Sequence, residues 1–331
     1  MSKETEWLRH IKEKISKQST LDQTLPQVDV VDQTDMVDQL PKRPIKHGLS
    51  RIAGMESLKR LINEGFINVM KNPKKASLYG VTVPNVLLYG PSGCGKTYFA
   101  ECLAEEVGIN FMKVCPDDLS SIYMHGTQKL IGELFKKAES KAPTLLFFDE
   151  FDCMVPSRTN EYIGQRLSDE VDEFLTMLNN TSKRGIYVVA ATNHPERIDS
   201  SILRTGRIDE KIYVPMPDKE TRETLFRLEL SSRPVSPQIN YDHLAKITEG
   251  YNCSDISYMV NCAARMKFNH SIVSSYDETI TQDELEYVIS NTIPSVSERE
   301  IQSYEELRRS FSSHGNRLKT HRIGFVVSSE S

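Results

Sequence analysis

The chain has 331 residues, 38% hydrophobic and 26% charged, with a formal net charge of −5. That length allows one large domain or two modest ones around an ample core, and the acidic balance argues against a nucleic-acid or polyanion binder. No run of 18 apolar residues offers a membrane span, and the opening MSKETEWLRHIKEK has no apolar signal core, so a soluble protein is expected, cytoplasmic with the nucleus as the alternative.

Six cysteines, at 94, 102, 115, 153, 253 and 262, form no CxxC pair. They read as small buried hydrophobes in a reducing compartment, not as a zinc knuckle or a disulfide framework. Residues 4–17 predict a short helix with Trp7, Leu8, Ile11 and Ile15 on one face. Residues 20–41 repeat an acidic theme (LDQTL, VDQTD, VDQLP) and read as a linker, or as a docking motif for an adaptor.

From Leu49 to about Pro215 strand and helix patterns alternate. VLLY (86–89), INFMKV (109–114), TLLFFD (144–149), IYVVAAT (186–192) and KIYV (211–214) are short apolar runs, separated by helical stretches at 98–107, 127–141 and 165–179. Apolar runs without alternation imply strands covered on both faces, hence a parallel sheet in an α/β sandwich. After Pro217 the strand signal stops, and 219–231, 241–249, 254–270 and 281–291 read as helices. Pro215-Met216-Pro217 is the expected hinge into this smaller helical lid. The expected division is therefore 1–45 (helix and linker), 46–216 (large α/β subdomain), 217–311 (small helical subdomain) and 312–331 (a loose polar tail).

Gly90-Pro91-Ser92-Gly93-Cys94-Gly95-Lys96-Thr97 matches G-x-x-x-x-G-K-[ST], with a buried strand before it and a helix after it. Glycines let backbone N–H groups approach phosphates, and the helix N-terminus adds a positive dipole end. Lys96 is then expected on the β- and γ-phosphates and the Thr97 hydroxyl on Mg²⁺, so ATP and Mg²⁺ are the expected ligands. A second apolar strand, LLFFDE, ends in Asp149 and Glu150. At a strand end beside the phosphate loop, Asp149 suits the metal shell and Glu150 suits orienting and polarising the attacking water. IYVVAAT leads to Asn193, which either hydrogen-bonds that water or serves as a turn residue. Cys94 lies at a helix N-terminus, where a thiol pKa can fall, so oxidation there would block nucleotide.

With these strand ends in place the chain resembles a AAA ATPase, of the branch that includes valosin-containing protein, NSF and katanin. The resemblance runs from about Leu49 to Phe311 and rests on IAGMESLK (52–59), FFDEFD (147–152), AATNHPERIDSSILRTGRIDEKIYVPMPD (190–218) and TEGYNCSDI (248–256). PSVSEREIQSYEELRRSF (294–311) is similar to the C-terminal segment of the second ATPase ring of valosin-containing protein. The resemblance implies a P-loop α/β domain with a helical lid, working as a homo-oligomeric, hexameric ring. It also implies that Arg204 and Arg207 reach into the neighbouring subunit's site. Ile52, Ala53, Tyr98, Cys253 and Ser254 are implied around adenine and ribose, and Tyr123 and Met124 in a substrate-gripping pore loop. Three departures stand out: His125-Gly126 for Gly-Glu in the pore loop, Arg51 for Asp before the IAG segment, and Cys253-Ser254 for Gly-Ala in the lid. The expected function is an ATP-driven remodeller of protein substrates, with a regulatory or scaffold ATPase as the alternative. Nucleic acid is not an expected partner, and the 45 residues ahead of the module are too few for a sizeable independent domain.

Overall fold

The apolar runs fold as strands of one parallel sheet: β1 (Val86–Tyr89), β2 (Asn110–Val114), β3 (Thr144–Phe148), β4 (Ile186–Thr192) and β5 (Glu210–Tyr213), in the spatial order β2-β3-β4-β1-β5. The computed structural model describes residues 47–119, 126–158, 165–274 and 278–315. The expected helix at 4–17, the 20–41 linker, Tyr123, Met124 and the tail beyond Gly315 lie outside them.

Parallel strands need crossovers of a dozen or more residues, and helices supply these. One sheet face is covered by α1 (Glu56–Ile62) and α2 (Lys96–Val107), through Leu58, Ile62, Phe99 and Leu103 packing on Leu88, Phe147 and Val189. The other face is covered by α3 (Gly126–Ser140) and α4 (Gln165–Met177), through Ile131, Phe135, Val171 and Phe174 on Leu87, Leu146, Phe148 and Val188. Neighbouring residues of one strand thus enter opposite layers, which is why VLLY and TLLFF carry no polar alternation. Each such fully buried Leu or Phe contributes about 1.5–3 kcal/mol.

The expectation of strands covered on both faces holds for β1 and β3 and fails at the sheet edges. β2 has Asn110 and Lys113 exposed, and β5 has Glu210 exposed with only Ile212 buried. An edge strand has only one neighbour and is overlapped by fewer helices, so polar side chains cost little there.

Past Val214 the chain becomes helical: α5 (Lys219–Leu230), α6 (Tyr241–Ile247), α7 (Cys253–Ser274), α8 (Gln282–Ser290) and α9 (Glu298–Gly315). Asp218 caps α5 by accepting from the Thr221 N–H at 2.8 Å. Phe226, Leu244, Ile256, Met259, Val260 and Leu285 form a separate apolar cluster. The buried Arg222 guanidinium ties the junction together, donating to Pro217 O at 2.8 Å and to Ala245 O through both Nε and Nη2. The last helix runs through the boundary expected at 311. It packs on the sheet, with Phe311 edge-on to Tyr89 at 5.2 Å and Tyr304 against Tyr213 at 6.4 Å. Among the described residues no helix is long and apolar enough to cross a membrane.

Candidate functional site

The register of the sheet brings three strand ends together. Tyr89 pairs with Thr192 and Phe148 with Ala190, so the chain leaves β1, β4 and β3 at nearly one level. Gly90, Asn193 and Asp149 are the first residues out. That edge, at the carboxyl ends of adjacent strands, is where open α/β sheets hold ligands.

Gly90–Thr97 connects β1 to α2. A Cβ at Gly90 would sit 2.2 Å from Val214 O, and one at Gly93 (φ 72°) would strike the Asn252 side chain at 2.6–2.8 Å. Neither position admits a side chain without moving the chain just past β5 or the lid. The loop's carbonyls are engaged: Gly90 O and Pro91 O accept from Lys96 Nζ at 2.7 and 2.8 Å, Ser92 O from Asn252 Nδ2 at 3.1 Å, and Gly93 O from the Ser254 N–H at 3.1 Å. Backbone N–H groups and the positive end of the 12-residue α2 are what the loop offers an anion. Lys96 is only 8% exposed, and burial pulls its amine down to about 8 against the opposing charge of Asp149. Its two carbonyl bonds leave one ammonium donor, and a buried cation beside a ring of amides fits a phosphate chain.

Asp149 follows β3, its N–H donating to Val114 O at 3.0 Å. Its Oδ2 accepts from Thr97 Oγ1 at 3.1 Å and from Lys113 Nζ at 2.9 Å. A hydroxyl and a carboxylate side by side are the hard oxygen donors that Mg²⁺ prefers. Glu150 is exposed and holds a left-handed conformation (φ 50°), which costs a non-glycine residue of order 1 kcal/mol or more. Its flanks enforce this: the following turn closes through Cys153 N–H to Glu150 O at 2.9 Å, with Phe151 fully buried.

The end of β4 is braced from two sides. Buried Asp152 accepts from Thr192 Oγ1, and that hydroxyl accepts from the His194 N–H at 2.8 Å. From the other side the Tyr304 hydroxyl of α9 donates to Asn193 O. Asn193 lines a cleft of about 590 Å³ with Glu196, Glu300 and Tyr304.

A second cavity of about 630 Å³ opens between the phosphate loop and the lid. That size suits a small-molecule ligand. Ile52, Ala53, Gly93, Cys94, Gly95 and Tyr98 line one side, and Leu225, Cys253, Ser254 and Tyr258 the other. The expected base-side residues are therefore together. Arg51 spans the mouth, its guanidinium 5.3 Å from the Tyr98 ring centroid and 2.8 Å from Glu105 Oε2.

Arg204 and Arg207 stand apart from this cavity. Arg204 is exposed, whereas half-buried Arg207 donates to Ser201 O at 2.8 Å and its carbonyl accepts from Asn85 Nδ2 at 2.7 Å. The thiol expectation at Cys94 is corrected: burial outweighs the helix end and the Lys96 charge and pushes it up to about 11. Cys253 is pushed up to about 12, again by burial.

Sequence reasoning missed Lys113, the Asp152–Thr192 brace, Asn252 and Tyr304. Lys113 did leave a signal, a lone charge within the apolar run INFMKV. Tyr304 left none, because its partner is a backbone carbonyl 111 residues away.

The family described as "ATPase family associated with various cellular activities (AAA)" matches residues 86–216. The chain is 32% identical over 268 residues to "ATPase family gene 2 protein homolog A" of Homo sapiens, covering 80% of this chain and 30% of that protein. It is 31% identical over 275 residues to "Cell division cycle protein 48 homolog" of Archaeoglobus fulgidus, covering 78% of this chain and 37% of that protein. The chain thus spans about a third of the length of these relatives.

Proposed function

Residues 86–216 are a domain of the AAA family, and from that premise we propose that the chain binds ATP between its phosphate loop and lid and hydrolyses it. The observation that carries this reading is the convergence of Lys96, Thr97, Asp149 and Glu150 at the ends of β1 and β3, the two strands that flank β4. Loop amides and Lys96 hold the β- and γ-phosphates, and Ile52, Ala53, Tyr98, Cys253 and Ser254 enclose the base and ribose. Thr97 and Asp149 would hold Mg²⁺, which when bound neutralises charge building on the transferred phosphoryl. Glu150 orients the attacking water and takes its proton, and Asn193, fixed by the braces on β4, hydrogen-bonds water or γ-phosphate without adding charge.

The test compares Lys96→Ala and Glu150→Gln with the wild type, by fluorescent-nucleotide binding and phosphate release. Lys96→Ala loses nucleotide affinity, whereas Glu150→Gln keeps it and loses about 10²–10⁴ of turnover. Wild-type turnover in Glu150→Gln would refute the assigned base.

We further infer that the working unit is a ring of identical chains, six by the family's habit, that remodels protein substrates and takes no nucleic-acid partner. Exposure of Arg204 supports a role in trans, since a permanently charged guanidinium free of the fold can enter a neighbour's site. Arg204→Ala is therefore expected to cost about 10³-fold in turnover and leave nucleotide binding intact. Because Arg207 also anchors its own loop, Arg207→Ala is read only beside a melting curve. Half the wild-type rate surviving in Arg204→Ala would exclude it as a trans-acting finger. Threading through Tyr123 and Met124 and recruitment by an adaptor belong to the same proposal. Its check is a Tyr123→Ala chain that hydrolyses ATP and no longer remodels substrate.

A further inference from the structure

Asp149 is the expected metal-side carboxylate, yet the strongest charge it meets is a lysine from the sheet edge. In β2 the pleat places Phe111 and Lys113 on the same face, and Phe111 packs into the layer covered by α2. Lys113 therefore extends along the α2 side of the sheet toward the end of β3. Its Nζ reaches Asp149 Oδ2 at 2.9 Å, the same oxygen that accepts from Thr97 Oγ1. Lys96, the cation expected nearest the phosphates, is turned onto Gly90 O and Pro91 O. Two ammonium groups thus flank one site with separate duties, one on the loop and one on the carboxylate.

Resting on the nucleotide reading above, we propose that Lys113 is a built-in counter-ion of the Mg²⁺ site. It holds Asp149 toward Thr97 and competes with the metal for the same carboxylate oxygen. A cation at hydrogen-bond distance from a carboxylate lowers the field available to a second cation placed there, and the effect is doubled for a divalent ion. Lys113 is about 39% exposed, so solvent screens the interaction and leaves it able to yield. Two consequences follow. The site needs more Mg²⁺ than an otherwise identical site without the lysine, and it holds nucleotide in chelator better than that site would. Phe111, two residues earlier on the same strand face, carries neither effect.

The test uses the full chain and N-methylanthraniloyl-ADP fluorescence, titrated with Mg²⁺ and repeated in EDTA. Lys113→Met is expected to lower the Mg²⁺ midpoint for nucleotide retention about tenfold and to weaken binding in EDTA about tenfold. Lys113→Arg, which keeps the charge, is expected to stay within about twofold on both readings. Should Lys113→Met lose its melting transition, Lys113→Gln, one bond shorter than lysine, keeps an N–H donor while removing the charge, and carries the same expectation. A Mg²⁺ midpoint in the charge-free variant within twofold of the wild type, with nucleotide bound by both, overturns the counter-ion role alone. A wild type that binds no nucleotide at any Mg²⁺ concentration overturns the nucleotide reading and this proposal with it.

Discussion

The middle and the margins of the sheet follow different rules. β1 and β3 are buried at every residue and β4 at all but Tyr187, whereas β2 and β5 each bury a single side chain. The middle strands deliver the phosphate loop, Asp149, Glu150 and Asn193 to one edge, so their burial fixes where the reactive groups stand. The margins contribute residues that act on those groups sideways. Lys113 of β2 reaches Asp149, and Tyr213 of β5 forms the platform on which α9 sets Tyr304 against Asn193. A rigid centre positions the chemistry, and a polar rim adjusts it.

The largest expected contrast is in stability. Phe148 lies among Phe135, Phe151 and Phe174 with ring centroids 5.4–6.1 Å apart. Phe148→Ala should cost about 3–5 kcal/mol in chemical denaturation, transfer and cavity terms together. Met112, on β2 and half-buried, should cost about 1–2 kcal/mol on truncation, because part of its surface is already in water. Equal costs at the two positions would erase the distinction between centre and margin.

Thiol chemistry sharpens the same contrast. Cys94 is fully buried in the loop, with its thiol near 11, and Cys153 is exposed beside Glu150. An ordinary thiol titrates near 8.5, so at neutral pH Cys94 carries on the order of 10²-fold less thiolate than one. Alkylation followed by mass spectrometry should therefore modify Cys153 well before Cys94. Early loss of Cys94 would restore the redox reading that its burial argues against.

This division also explains what could be read from the chain. VLLY, TLLFF and IYVVAAT announced their strands to within a residue because total burial demands unbroken apolar runs. The loops leaving them were legible because phosphate chemistry demands Gly90, Gly93 and Lys96 at fixed spacing. Lys113, Thr192 and Tyr304 were not singled out. A threonine ending a strand and a tyrosine in a polar helix are unremarkable, and the lone charge of Lys113 in an apolar run has no evident partner, until the fold places Asp152, Asn193 and Asp149 beside them. Thr192→Val tests one such hidden pair. It keeps the shape, leaves buried Asp152 without its hydroxyl donor, and should cost about 1–3 kcal/mol in denaturation.

The smallest effect is expected at Tyr304, and it separates packing from hydrogen bonding. Tyr304→Phe keeps the ring beside Tyr213 and removes only the donor to Asn193 O, so the cost should be about 0.5–1.5 kcal/mol. Tyr304→Ala removes the buried ring as well and should cost more. Burial pushes the Tyr304 hydroxyl up to about 12, with Glu300 and Glu196 adding to the shift. The folded chain therefore keeps a proton that the unfolded chain releases near pH 10. That contribution is complete below about pH 10 and declines as pH rises toward 12. In Tyr304→Phe this part of the alkaline loss of stability should disappear, leaving the slopes due to the other groups that burial raises, Tyr89 and Tyr213 among them. If turnover also falls in Tyr304→Phe while nucleotide affinity holds, α9 acts on Asn193 through its backbone. If only stability moves, the helix is a prop for the sheet margin and the chemistry at Asn193 is set by the Asp152–Thr192 brace alone.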